Sequence, residues 1–257
     1  MAVRERQPGF GWSVRGTRAV AALLTAGAMM GALSGCQSIE STNANVAEIR
    51  FINASPDFYN PGLDFFINGT GSLYNVGYPT YSSYVPITAG TYTLSVGADG
   101  STPKQTLQST KATLLSGHTY SYVVGSLLAN LSGTVLQDQT QIAPSGQISL
   151  RFVDQNDVIG AVDVYAIPAG GTLLTTKPLL QSVNFGEVRG YLAIPTNTYT
   201  LVVLPANTQP VANTVAIYNG GPVGYTAGQV LTLFITDQQL TTTPGLNIFS
   251  VVDVPGI

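Results

Sequence analysis

Beyond residue 47 the sequence matches itself in three blocks that recur in the same order. The first sets Ile49-Arg50-Phe51-Ile52-Asn53 against Leu150-Arg151-Phe152-Val153-Asp154, and Leu63-Asp64-Phe65-Phe66-Ile67 against Val162-Asp163-Val164-Tyr165-Ala166. The second aligns residues 84–96 with 191–203 without a gap, and the third pairs residues 117–124 with 228–235. The offset drifts from 101 (Arg50 to Arg151) through 107 (Tyr92 to Tyr199) to 111 (Gly117 to Gly228), as insertions in loops would produce. A duplicated domain of roughly 100 residues follows. The join is expected near Ile142-Ala143-Pro144-Ser145-Gly146, where Pro and Gly interrupt the apolar pattern.

Within each copy the hydrophobic period is two. Tyr92, Leu94 and Val96 face one way while Thr93 and Ser95 face the other, and Tyr199, Leu201 and Val203 repeat the arrangement. Turn signals such as Asn68-Gly69, Asp99-Gly100, Ser116-Gly117 and Ala227-Gly228 separate the runs. Regular short strands in units of this size point to an all-β chain of two tandem immunoglobulin-like β-sandwich domains. The Cys-Trp-Cys core of antibody domains is absent, so aliphatic, Phe and Tyr packing must serve instead. Gly90-Thr91-Tyr92 has the form of a tyrosine corner, in which the hydroxyl bonds backbone across a turn.

The first 35 residues read differently. Residues 1–18 are polar and basic, residues 19–33 are small, apolar and uncharged, and Leu33-Ser34-Gly35-Cys36 has the form of a bacterial lipobox. The apolar run is short for a bilayer span but suits the core of a signal peptide. The expected layout is a lipoprotein signal peptide at 1–35, a lipidated Cys36 with a polar tether at 36–46, and sandwiches at 47–141 and 146–257. Cys36 is the only cysteine, and lipidation explains a thiol with no partner. Several acyl chains on it would anchor the chain to a membrane, since one chain alone binds marginally. Gln37 rather than Asp follows it, which in a Gram-negative host suits the outer membrane.

Arg4, Arg6, Arg15, Arg18 and Glu5 precede Cys36, so the remainder keeps 6 basic against 12 acidic residues, a net charge of −6. With no basic run, nucleic acid is not an expected partner.

Arg50-Phe51-Ile52-Asn53-Ala54-Ser55-Pro56-Asp57, then Leu63-Asp64-Phe65-Phe66-Ile67-Asn68-Gly69, then Ile87-Thr88-Ala89-Gly90-Thr91-Tyr92 resemble the DUF4397 family. That pattern is an Asn-x-Ser-Pro-Asp strand end, an Asp-hydrophobic strand closed by Gly, and a Pro-Ala-Gly-x-Tyr turn. The second copy departs from it, with Asp154-Gln155-Asn156-Asp157 at the first motif and Asn197 at the turn glycine. The resemblance implies secreted or lipid-anchored bacterial proteins and carries over no catalytic residues.

Candidate chemistry is sparse. His118 is the only histidine, starts a predicted strand and has Gln229 as its counterpart, so no Ser/His/Asp set is expected and no catalytic residue is assigned. No cofactor is expected. A metal would have to be calcium on oxygen ligands, for which Asp154, Asn156 and Asp157 are the weak candidates, although Asx-rich turns need no ion. Asp64 and Asp163 open equivalent strands, where a turn role or Arg50–Asp64 and Arg151–Asp163 pairing is expected. Tyr74, Tyr78, Tyr81 and Tyr84 crowd one segment and, with Asp57 and Asp64, form a possible binding surface. The functional expectation is a non-enzymatic cell-envelope lipoprotein that contacts an envelope protein or glycan. The alternatives are an accessory or hydrolytic protein acting on envelope polysaccharide and a structural subunit pairing through exposed edge strands.

Overall fold

A computed structural model describes residues 45–238 and 245–254; Leu33, Ser34, Gly35, Cys36 and residues 37–44 of the expected tether lie outside the described residues, while Val46, expected at the tether's end, opens the first strand. The described chain is all-β, and its four sheets form two immunoglobulin-like sandwiches. In the first half the strands are β1 (Val46–Ala54), β2 (Leu63–Ile67), β3 (Thr70–Val76), β4 (Thr80–Tyr81), β5 (Val85–Thr88), β6 (Gly90–Ala98), β7 (Gln108–Leu114), β8 (Thr119–Gly125) and β9 (Ser132–Gln137). In the second they are β10 (Gln147–Gln155), β11 (Val162–Pro168), β12 (Leu180–Val183), β13 (Val188–Pro195), β14 (Thr198–Pro205), β15 (Tyr218–Gly224), β16 (Val230–Asp237) and β17 (Leu246–Val252).

Both halves use one strand order. A sheet β4-β1-β8-β9, with β5 also on β1, faces a sheet β3-β2-β6-β7; β13-β10-β16-β17 and β12-β11-β14-β15 repeat the plan. In each, the first strand lies parallel to the penultimate one, Arg50 beside Ser121 and Arg151 beside Thr232. Where β4 and β5 share the edge of β1, β13 runs the length of β10 with a register shift between Leu150 and Phe152.

The inward residues of each sandwich form its core. Phe51, Phe65 and Tyr122 meet in the first, with Phe51 and Phe65 centroids 5.2 Å apart and Tyr122 edge-on to both. Val164, Val203, Leu233 and their neighbours fill the second with aliphatic side chains. The tyrosine corner forms in both halves: the Tyr92 hydroxyl donates to Thr88 O at 2.5 Å, and Tyr199 donates to Pro195 O at 2.8 Å.

Strict alternation fails at β1, β8, β10 and β16, which are buried on both faces over most of their length. Their outward faces pack against each other. Ile52, Ala54, Val123 and Leu136 meet Val153, Phe234 and Val251 in a third apolar cluster that joins the sandwiches. Phe249 stacks on Phe234 at 5.0 Å and takes Tyr78 edge-on at 5.9 Å. The Tyr78 hydroxyl is bonded to Thr236 Oγ1 at 2.8 Å. At Gly125 a Cβ would stand 2.4 Å from Gln155 Oε1, so a larger residue there would have to displace the Gln155 side chain.

Beside that cluster lie four buried charges. Arg50 donates through Nε to Ser121 Oγ at 2.7 Å, through Nη1 to Val252 O at 2.6 Å, and through Nη2 to Asp253 Oδ1. Arg151 mirrors it, with Nε to Thr232 Oγ1 at 2.8 Å, Nη1 to Gln137 O at 2.9 Å, and Nη2 to Asp138 Oδ1. The expected Arg50–Asp64 and Arg151–Asp163 pairs do not form. Each arginine instead crosses to the carboxylate that follows the last strand of the other half, because its own side chain points out of its sandwich.

Tyr84 and Tyr191 close the cluster. Their hydroxyls donate to Asp138 Oδ2 and Asp253 Oδ2, both at 2.8 Å, and their rings lie 4.5 and 4.7 Å from the Arg50 and Arg151 guanidinium carbons. Burial, together with the neighbouring carboxylates, pushes both phenols well above their ordinary range. Burial also raises Asp253, against the lowering effect of the two guanidiniums.

Arg50→Ala should leave Asp253 short of its cation in a buried site and lower the unfolding free energy by about 3–5 kcal/mol. Equilibrium urea unfolding measures this, and a loss below about 1 kcal/mol would show that the crossed pairs do not hold the halves together.

Candidate functional site

Asp64 and Asp163 start from the same local requirement. Each lies one residue into its strand, beside two chain reversals that leave backbone N–H groups facing inward. Asp64 Oδ1 accepts from Asn75 N at 2.8 Å and Oδ2 from Gly100 N at 2.9 Å. Asp163 Oδ1 accepts from Ser182 N at 2.8 Å and Oδ2 from Asn207 N at 3.0 Å. The residues held are left-handed in every case, with φ of 50° at Asn75, 75° at Gly100, 50° at Ser182 and 65° at Asn207. A carboxylate bonded through both oxygens offsets the strain of three non-glycine residues in that region. Both acids are structural fasteners, and neither presents a free oxygen to solvent.

In the second half this fastener sits beneath a cleft. Residues 169–179 replace the tight Asn68-Gly69 turn between β2 and β3, and the longer loop 206–217 stands where the first half has 99–107. These two lengthened loops converge. Leu173 seats the first of them on Tyr165, Val202 and Leu204, and Thr172 and Thr175 lock its tip through side-chain and backbone bonds. Between the loops lies a cavity of about 410 Å³ whose lining includes Tyr165, Thr176, Lys177, Gln181, Asn207 and Gln209. Its charged lining groups are Lys177 and Asp163, and amides and hydroxyls are the commonest. Such groups both donate and accept, which fits a neutral polyhydroxy ligand better than an anion. Burial raises the Tyr165 phenol above its ordinary range.

The tyrosines named from sequence divide between two roles. Tyr78 and Tyr84 are part of the junction between the sandwiches, while Tyr74 and Tyr81 are 64% and 46% exposed. Asp57 Oδ2 accepts from Leu128 N at 2.8 Å and ties the β1–β2 connection to the loop after β8. His118 is half-buried, with Nδ1 2.9 Å from Ser116 O and its ring beside Tyr120.

The Asp154–Asp157 segment forms an Asx-type turn. Asp154 Oδ1 accepts from Asn156 N at 2.8 Å, and Asn156 uses both ends of its amide, on Ile159 N at 2.9 Å and Gly160 O at 3.2 Å. Both ends of the Asn156 amide are thus used within the turn. Among the described residues no three His, Cys, Asp or Glu side chains form a preformed metal-binding group.

Sequence reasoning missed Asp138, Asp253 and Asp237. A signal for the first two was present: Leu136-Gln137-Asp138 and Val251-Val252-Asp253 both end in an acid just past the final strand of a half. The cleft had a signal too, in the growth of the offset between Leu63–Val162 and Tyr92–Tyr199.

Asp163→Ala removes two charge-assisted bonds, each worth about 1.5–3 kcal/mol, so about 3 kcal/mol of stability should be lost. Hydrogen exchange at the Ser182 and Asn207 amides should accelerate before the rest of β11 and β14 does. Unchanged protection there would show that the carboxylate is not what holds the cleft walls.

A search of curated proteins finds no match. Among solved structures the chain is similar to a leucine-rich repeat protein from Bacteroides thetaiotaomicron, at 14% identity over 76% of this chain and 26% of that one, with a TM-score of 0.22. It is also similar to the Bacillus anthracis TIE protein, at 10% identity over 81% of this chain and 44% of that one, with a TM-score of 0.24. The chain thus spans less than half the length of either. The family comparison is more specific: it covers all of the first sandwich and runs on through β10 into β11. Residues 47–165 match the model of the DUF4397 family, a domain of unknown function.

Proposed function

We propose that the protein is an exported, lipid-anchored module of the cell envelope that binds a neutral polyhydroxy ligand, an envelope glycan, and catalyses no reaction. The observation that carries this reading is the cleft between residues 169–179 and 206–217, with its lining of amides and hydroxyls. Sugar hydroxyls need partners that donate and accept at close spacing, and Gln181, Asn207 and Gln209 supply both in one place. Both walls are fixed from below by Asp163, so little order has to be created when a ligand enters.

The anchor is argued from Leu33-Ser34-Gly35-Cys36 and the basic and apolar segments before it. In a Gram-negative host, Gln37 after the cysteine favours the outer membrane. The shared strand order, the mirrored arginines and the two tyrosine corners support descent of both halves from one duplicated DUF4397 unit, the second diverged. On this reading the first half serves as frame and the second carries the ligand.

A glycan array probed with the purified chain should give a defined set of envelope-type oligosaccharides. Gln181→Ala combined with Gln209→Ala should weaken that binding at least tenfold while leaving the melting temperature within about 2 °C, since surface substitutions shift stability little. An empty array, or binding undiminished by the double substitution, overturns the assignment. Cys36→Ala should move the protein from the membrane to the soluble fraction, and retention at the membrane would sink the anchor.

A further inference from the structure

Tyr165 lines the cleft between residues 169–179 and 206–217 and is only 3% exposed. It lies two residues beyond Asp163, on the same face of β11. Val202, Leu204 and Leu173 pack around it, so its ring is fixed in place. Its hydroxyl makes no hydrogen bond among the described residues. The other buried tyrosines there all make one: Tyr120 accepts from Leu115 N at 3.1 Å, Tyr122 donates to Leu94 O at 3.3 Å, and Tyr199 donates to Pro195 O at 2.8 Å. A hydroxyl withdrawn from water without a partner costs stability, and the cleft is the space from which a partner can reach this one.

The first sandwich shows that the fold does not call for this oxygen. Phe66 holds the equivalent place, two residues beyond Asp64, and is 2% exposed. The second half has the hydroxyl where it also has the cleft. Beside it, the side-chain amides of Gln181, Asn207 and Gln209 likewise make no hydrogen bond among the described residues. The same cleft has an aliphatic part, in which Leu174 is 57% exposed and Pro178 and Pro210 stand with it. A plain hexose, with hydroxyls around its rim, matches the amides but offers no methyl to these aliphatic groups. An acetamido substituent carries a methyl, a carbonyl and an N–H together. The methyl fits the aliphatic part, the N–H fits an amide oxygen, and the carbonyl needs a donor. Burial and the charge of Asp163 keep the Tyr165 phenol protonated, so it is such a donor.

We propose that the cleft takes an N-acetylated amino sugar, and that Tyr165 selects it by donating from its hydroxyl to the acetamido carbonyl. This rests on the glycan reading of the cleft and narrows it to one class of sugar. Tyr165 is then a specificity-determining residue, while Gln181 and Gln209 bind features that all neutral sugars share. A site that offers a hydrogen bond from a withdrawn group discriminates against a ligand unable to complete it, because the group is left unpaired.

The test titrates the full chain, purified in mild detergent, with two tetrasaccharides in a calorimeter. Both are β-1,4-linked, one of N-acetylglucosamine and one of glucose, so they differ only where the first carries acetamido groups. The acetylated tetramer should bind about five- to tenfold tighter, the worth of one well-placed hydrogen bond. Tyr165→Phe should weaken it to the level of the glucose tetramer and leave the glucose tetramer unchanged. That variant should melt no lower than wild type, because the first half already has phenylalanine at this place and the unpaired hydroxyl is gone. Equal binding of the two tetramers, a preference for glucose, or a preference that survives Tyr165→Phe overturns the acetamido assignment while glycan binding stands. A clear fall in melting temperature on Tyr165→Phe would make the hydroxyl a structural group and overturn it as well. Binding of neither tetramer also overturns it, and the glycan reading falls with it only where the array is empty too.

Discussion

The crossed pairing of Arg50 with Asp253 and Arg151 with Asp138 is the constraint on which the arrangement of this molecule rests. A guanidinium taken out of water needs an acceptor for each of its edges and a countercharge at contact. Neither half supplies both. Each arginine finds a hydroxyl within its own half, on Ser121 or Thr232, but its carboxylate and one carbonyl come from the other. A half alone would bury or expose an incomplete set. The second-order contacts, Arg50 Nη2 to Asp138 Oδ2 at 3.7 Å and Arg151 Nη2 to Asp253 Oδ1 at 3.8 Å, make the four charges one neutral cluster rather than two pairs.

Such a cluster contributes orientation more than net energy, since apolar replacements of similar volume often match or exceed buried ion pairs in stability. The apolar contact of Ile52, Val123, Val153 and Phe234 is non-directional and would tolerate sliding. Fixed donor and acceptor geometry would not. Because the carboxylates lie just beyond β9 and β17, both final strands must be in place before the cluster is complete. The chain end at β17 is therefore integral to the seam between the sandwiches, and Tyr84 and Tyr191 seal it from water.

Periodicity and turn chemistry made the fold legible in the sequence, because each sandwich is built from local alternation that its own residues record. The tyrosine corners and the matched Asp64 and Asp163 could be read for the same reason: both recur at fixed places in the motif. What joins the halves could not be read that way. Arg50 and Asp253 are 203 residues apart, and alternation in β8 and β16 gives no sign that the second face is buried. Ser121 and Thr232 look like solvent-facing residues until the opposite sheet arrives. The pairing of Arg50 with Asp64 was the natural expectation within one unit, and it failed because the two side chains serve opposite purposes: one reaches outward to the partner half, the other turns inward to hold two left-handed residues.

The two halves share the positions that serve the frame and differ at others. Positions that serve the frame match: Arg50 and Arg151, Tyr84 and Tyr191, Asp138 and Asp253, Asp64 and Asp163. Among the positions that differ are the long loops around the cleft and the acids at the ends of β10 and β16. Lengthened loops carry ordering entropy, and burial disfavours the charged forms of Asp154 and Asp237. The first half shows that the same frame stands with a tight turn at Asn68-Gly69 and with neutral Asn53 and Ser126 at the corresponding strand ends.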